Sequence, residues 1–385
     1  MSHAGRVWHS ETSVEQDQNS RIPVRRLTAY LGHSHHLYFT NPGWHDRNQR
    51  LLFGSERENA VNLFSVQLAT GQITQLTDFP PEKEYPPALS FLFASVNPRR
   101  DEAYFWKGQE LLALDLRTLA LRTIYQLEPR FRPTNTSVSA DGKVVCTGVY
   151  EDLSKKFEVK LHYGYVGFRE YFDAHPLSRV VEASTDGSGA RVLWEEKNWI
   201  GHVNTSPTQA NLLTFCHEGP WDRVENRIWG LDRSSGKVWK IRPTTLGEAV
   251  GHEYWLADGL HIGFHGKTQR GDGQQVFGWI KYDNTEHIEA PFPHTSTHFH
   301  SNAMDLIIGD GSSHDARVYL WAFREGKFTP RRVLCQHRSS FHIQQTHVHP
   351  RFSPDTRRAV FTSDALGYAN VYMVDIPAFE SLPAS

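Results

Sequence analysis

Cysteine is scarce in this chain: Cys146, Cys216 and Cys335 are the only three in 385 residues, and they lie far apart. With no CxxC pair and no zinc-ribbon spacing, a disulfide framework and a thiolate metal knuckle are both excluded. Charge of one sign is missing too, since 41 Lys+Arg against 43 Asp+Glu leave a formal net charge of −2. That argues against the broad basic surface needed to hold a nucleic acid, yet leaves room for a small acidic ligand bound locally. No run approaches the roughly 18 apolar residues of a membrane helix. Residues 1–26 are polar, carry Glu11, Glu15 and Asp17, and show no apolar stretch of signal-peptide type. The expectation is a cytoplasmic protein with neither a nucleic acid nor a membrane as partner. Long amphipathic helical patterns are nearly absent; residues 157–177, rich in Tyr and Phe, are the best place for an irregular or helical excursion. Catalytic signatures are lacking as well: there is no GxSxG and no HExxH. Gly309-Asp310-Gly311 is too short for a phosphate loop and reads as a strand-end turn, and Cys216, in the apolar run with Leu212, Leu213 and Phe215, reads as packing.

What is present is a repeat. A short strand, a Ser/Asn-Pro-Asp-Gly-like turn and an apolar strand recur, most clearly at Arg351-Phe352-Ser353-Pro354-Asp355 followed by Ala359-Val360-Phe361. Such turns suit a tight reversal because proline presets φ and glycine accepts φ > 0. Further copies fall at Asn41-Pro42, Asn97-Pro98, Ser139-Ala140-Asp141-Gly142, Ser206-Pro207, Ala257-Asp258-Gly259 and Ser301-Asn302, which makes seven. A mean spacing of roughly 50 residues fits four-stranded propeller blades. Between copies, runs such as Leu111-Leu112-Ala113-Leu114-Asp115-Leu116 have the period-two patterning of strands. The fold expected is all-β, a seven-bladed β-propeller over residues 21–385 preceded by a flexible segment at 1–20, with an array of β-sandwiches as the competing architecture.

The repeat gives the 22 histidines a register. Stepping back four residues from the serine slot of each turn reaches His36, His202, His252, His298 and His349, with Phe93 and Asn135 in the two remaining copies. In a propeller this is the innermost strand, so such positions converge. Residues two apart share a face of a strand, so His347 joins His349 and His300 joins His298. Any single imidazole here is accounted for by a hydrated channel lining. Five in one register point to a functional group, because histidine is the commonest metal ligand and titrates near neutrality.

Several segments resemble the oligogalacturonate lyase family: Phe215-Cys216-His217-Glu218-Gly219-Pro220 with Arg227-Ile228-Trp229, His252-Glu253 with Trp255 and Asp258-Gly259, His298 with Ser301-Asn302, and Gln344-Gln345-Thr346-His347-Val348-His349-Pro350. The resemblance implies a seven-bladed propeller and β-elimination on short oligogalacturonides or related uronic-acid oligosaccharides. It implies a divalent metal, Mn2+, held by His298, Gln344, His347 and His349. It further implies His252 as the base, Arg227 assisting at the substrate, and His217 and His202 as neighbouring pocket residues. The proton on C5 of a uronate is weakly acidic until its carboxylate is neutralised, which a Lewis-acid metal or an arginine can do. The N-terminal third, the 44–50 turn and the 157–177 stretch are this chain's own and bear on which sugar is taken. The other readings are a non-catalytic propeller scaffold with TolB-like blades and an oligouronide sensor; the oligomeric state is left open.

Overall fold

The computed structural model describes residues 3–83, 90–161, 164–245, 247–269, 273–292 and 294–385. Among them the strands fall into seven sheets, and in each one strands that follow one another in sequence pair side by side. The chain is all-β, and its sheets are the blades of a seven-bladed β-propeller, as the repeat requires. Each of the seven turn motifs joins two strands of one sheet that follow one another in sequence. In the third sheet, for instance, Phe131–Val138 leads through Ser139 to Val144–Glu151. The serine caps its own turn. Ser139 Oγ donates to Asp141 Oδ1 at 2.7 Å and accepts from the Val144 N–H at 3.2 Å, and Gly142 takes the left-handed conformation at φ 71°. Ser353 repeats the pattern with Asp355 and Arg358.

The chain divides into two compact units. One comprises residues 1–96, 114–120 and 295–385, and contains the first, sixth and seventh sheets. Strands such as Arg50–Ser55 and Arg358–Ser363 are buried at nearly every residue because apolar side chains cover both faces. Leu51, Phe53, Phe64 and Val66 pack with Val360, Val371 and Met373, and Phe352, Phe361 and Val374 with Ile308, Leu320 and Leu334. The seventh sheet is completed by the N-terminal part of the chain: Val24 lies opposite Val374 and Arg26 opposite Tyr372. Two chain ends joined in one sheet leave one fewer edge open. The other unit, 97–113 and 121–294, contains the third, fourth and fifth sheets. Its core joins Cys146 and Val180 to Ile200, Leu213 and Phe215, and Ile228 to Val250, Ile262 and Phe264. Its 157–177 stretch carries the α-helix Phe168–Ala174, with residues 162 and 163 outside the described residues. No helix among the described residues is long and apolar enough to cross a membrane.

Residues 1–20 were expected to lie outside the sheets as a flexible segment; the structure builds part of them in. Val7 and Trp8 pair with Thr74 and Ile73 at the edge of the first sheet, and Ser13–Gln16 pairs with Pro23–Arg26 in the seventh. The cause is electrostatic as much as backbone pairing. Arg57 is buried to 2 % exposure, and Glu11 from this segment receives both its terminal nitrogens, one at 2.8 Å. Burial opposes the charge on Glu11, but Arg57 outweighs it and holds the carboxyl below its ordinary value. A carboxyl lowered in the folded state stabilises the fold above its unfolded pKa, and that contribution is lost as pH falls through the folded value. Glu11→Ala is therefore expected to cost about 3 kcal/mol in urea unfolding at neutral pH, as when a buried cation loses its partner. The difference from wild type should shrink on acidification below about pH 4.

Candidate active-site residues and a buried imidazole cluster

In the first unit three histidines converge. The ligand nitrogens of His298, His347 and His349 all lie within 4.8 Å of one another, and all three residues are buried. His298 and His349 have ring centroids 4.3 Å apart, and His347 lies 5.5 Å from each. His347 follows the 3-10 turn Gln344–Thr346, and His349, in left-handed backbone at φ 46°, lies just before strand Arg351–Phe352. His298 arrives from the neighbouring sheet, just before Phe299–His300. Its aim is fixed by Asp310, a fully buried carboxylate that accepts from the His298 backbone N–H at 2.8 Å and from Nδ1 at 2.7 Å. An imidazole bound to a carboxylate through Nδ1 has its ring orientation fixed, with Nε2 as the ligand atom.

The donor set fits a divalent cation. His347 Nδ1 and His349 Nε2 are buried with no hydrogen-bond partner among the described residues, and an unpartnered buried polar atom costs about 1–3 kcal/mol. Burial, then the neighbouring His298, pushes His347 down to about 4 and holds His349 well below its usual range. Both are therefore neutral imidazoles at neutral pH, the form that ligates. Tyr38 and Phe39 wall the cluster, Tyr38 standing edge-on to His349 at 4.8 Å and Phe39 tilted on His298 at 5.3 Å. Gln344 opens the short 3-10 turn Gln344–Thr346, and its carbonyl accepts from the His347 N–H at 3.2 Å. His36, in the same register, instead lies with Nε2 3.2 Å from the Val348 carbonyl. His300 turns a ring nitrogen to the Phe352 N–H. These two are structural. Asp310→Asn is expected to weaken divalent-metal binding by about 10–100-fold, measured by titration, with little change in the far-ultraviolet circular dichroism.

The second unit holds the other candidates. Arg227, 4 % exposed, donates to both oxygens of Glu218, at 2.9 and 3.3 Å. His202 Nε2 is 3.3 Å from Glu218 Oε2, and Glu253, buried, lies 3.6 Å from Arg227 Nε. Burial alone raises the Glu218 carboxyl, but Arg227 outweighs it and holds Glu218 well below the usual range. Glu253 is raised by burial, and neither of its oxygens has a hydrogen-bond partner. Cys216 is buried and burial holds its thiol protonated, in line with packing. The guanidinium expected at the substrate is thus already gripped by a carboxylate of its own chain. His217 is not part of this group: its Nε2 lies 2.8 Å from Glu196 Oε1 and its ring tilts on Trp229. Asn135 clasps the next strand, donating to the Val203 carbonyl at 2.7 Å and accepting from the Val203 N–H at 2.9 Å.

His202 and His252 sit on bulges. In each inner strand two residues face one on the partner, between Gly201 and Asn204 in the fourth sheet and between Gly251 and Tyr254 in the fifth. Both histidines adopt left-handed backbone, φ 45° and 50°, and His349 does so at 46°. For a non-glycine residue this costs about 1–2 kcal/mol and re-aims the side chain. His252 Nδ1 thereby comes to 3.1 Å from His265 Nε2, with Trp221 edge-on at 4.9 Å. The sequence reading missed Asp310, His265, Trp221 and Glu218 as site residues. The Gly-Asp-Gly triplet was the signal for Asp310; His265 needed the strand register.

A propeller carrying a buried imidazole cluster and a bulge-mounted histidine pair is built as an enzyme rather than as a plain scaffold. The chain matches the oligogalacturonate lyase family over residues 6–380 and belongs to it; it is a lyase. It is 26 % identical over 385 aligned residues to the oligogalacturonide lyase of Pectobacterium atrosepticum and, at the same identity, to the oligogalacturonate lyase of Dickeya dadantii, covering 94 % of this chain and 95 % of each relative. Among solved structures, an oligogalacturonate lyase in complex with manganese superposes with a TM-score of 0.85 at 24 % identity, over 98 % of this chain and 99 % of the other. The Vibrio parahaemolyticus oligogalacturonate lyase does so at the same score and identity, over 97 % and 99 %. At that identity the structural likeness speaks to the fold.

Proposed function

We propose that this chain cleaves short oligogalacturonides by β-elimination, supported by a divalent metal, manganese as in the solved relative, held by His298, Gln344, His347 and His349. The observation that carries the reading is the pair of buried, unpartnered nitrogens on His347 and His349 beside the carboxylate-anchored His298. A metal bound there supplies a Lewis acid that neutralises a uronate carboxylate and so acidifies the adjacent C5 proton. His252 takes that proton; the C5–H electron pair becomes the C4=C5 double bond, the C4–O4 bond breaks, and O4 leaves with a proton taken from solvent water. An imidazole suits the step because a neutral ring has a nitrogen lone pair that can accept the proton. Arg227, anchored by Glu218, lends fixed positive charge and positions His202 through the shared carboxylate. His217 supports the neighbouring wall through Glu196.

The test is the ultraviolet absorbance of the unsaturated uronide formed from digalacturonate with Mn2+ present. A rise that chelation removes and Mn2+ restores is the expected result. No absorbance from digalacturonate, trigalacturonate or other uronides with Mn2+ supplied would remove the proposal.

A further inference from the structure

We infer that His265 is the positioning residue that sets the tautomer of His252 and shares the charge of the proton it receives. The inference rests on the reading of His252 as the base. His252 Nδ1 and His265 Nε2 are 3.1 Å apart, so one nitrogen donates and the other accepts. Once His252 has taken the C5 proton, both its nitrogens carry hydrogen. Nδ1–H then donates, and His265 Nε2 is the acceptor. His265 must therefore be neutral, with its own hydrogen on Nδ1. Before the step, that same acceptor holds His252 in the Nδ1–H tautomer, with the basic lone pair on Nε2. It plays the part a carboxylate plays behind a catalytic histidine, with a neutral ring in place of a charge.

The backbone is arranged for this contact. In an unbroken ladder His252 would share a face with Phe264, because His265 pairs with Gly251 across the strands. The bulge and the left-handed φ of 50° carry the His252 side chain to the face of His265. Gly251 leaves the space over the pair to others: a Cβ there would meet Arg227 Cδ at 2.3 Å and Trp221 Cζ2 at 3.2 Å. Trp221 walls both imidazoles, 4.9 Å from His252 and 5.4 Å from His265. Arg227 lies against the same Trp221 ring, 5.6 Å from its centroid, and is itself held by Glu218 and Glu253.

The experiment compares His265→Phe, His265→Gln and His252→Ala with wild type on digalacturonate at saturating Mn2+. Phenylalanine keeps the ring and removes the acceptor; glutamine restores an acceptor oxygen. His265→Phe should lose about 100-fold in kcat with KM within about twofold, the range of a proton-transfer contribution. His265→Gln should recover at least about tenfold of that loss. An inactive His252→Ala beside a fully active His265→Phe would sink the His265 role and leave the base reading standing. Equal losses in His265→Phe and His265→Gln would also sink it, as a packing effect. Retained activity in His252→Ala would remove the base reading itself, and this inference with it.

Discussion

His349→Ala is expected to abolish metal-supported elimination, with at least about a 10³-fold fall in rate, the equivalent of the several kcal/mol that a Lewis acid contributes. Among the three clustered imidazoles His349 is the most enclosed: buried, 4.3 Å from the His298 ring and 4.8 Å from Tyr38. Among the described residues its Nε2 meets no partner, so the fold keeps a polar atom dry at a cost unless a cation meets it. The variant should therefore lose function and little stability. Apo protein should unfold within about 2 kcal/mol of wild type, since a cavity replaces an unsatisfied nitrogen. The rise in Tm that Mn2+ confers on wild type by binding the native state should vanish in the variant. Paired differential scanning calorimetry and the elimination assay read both halves of the expectation.

Glu218→Ala should have the opposite signature, losing stability and activity together. Glu218 carries the bidentate bond from the buried Arg227 and the contact with His202. Removing one partner of a buried pair typically costs about 3–5 kcal/mol, because the remaining charge is stranded. Glu253, 3.6 Å from Arg227 Nε, is a second carboxylate that can take over. The loss should accordingly fall at the lower end, about 3 kcal/mol in urea unfolding. Glu218→Gln, which keeps an acceptor oxygen, should lose less. A stable, fully active Glu218→Ala protein would show that Arg227 does not depend on this carboxylate.

The fold was legible because its punctuation is local. A serine that bonds an aspartate two residues on, as Ser139 and Ser353 do, marks a turn within five residues. Those two and five kindred turns count the blades without any knowledge of pairing. The histidine register followed from the same spacing, yet of its five positions only His298 and His349 meet, joined by His347, while His36 turns its ring to the Val348 carbonyl. What failed to show is non-local. Residues 1–20 read as a polar leader because the partners of Val7, Trp8 and Glu11 lie at Thr74, Ile73 and Arg57. Asp310 read as a turn, and only the strand pairing places its carboxylate under His298. His265 was invisible for a third reason. A bulge at a histidine, with no glycine to announce left-handed backbone, turns one side chain across the sheet, and period-two reasoning puts it on the wrong face. His217 shows the converse: neighbouring Glu218 in sequence, it faces away and pairs with Glu196.

The account turns on three imidazoles gripping one cation. Counting protein-bound Mn2+ by the loss of the free-ion electron paramagnetic resonance signal tests this directly. One tight equivalent per chain is expected, reduced to none when His298, His347 and His349 are all replaced by alanine. A wild-type chain that takes up no Mn2+, or a triple variant that still binds its full equivalent, would contradict it.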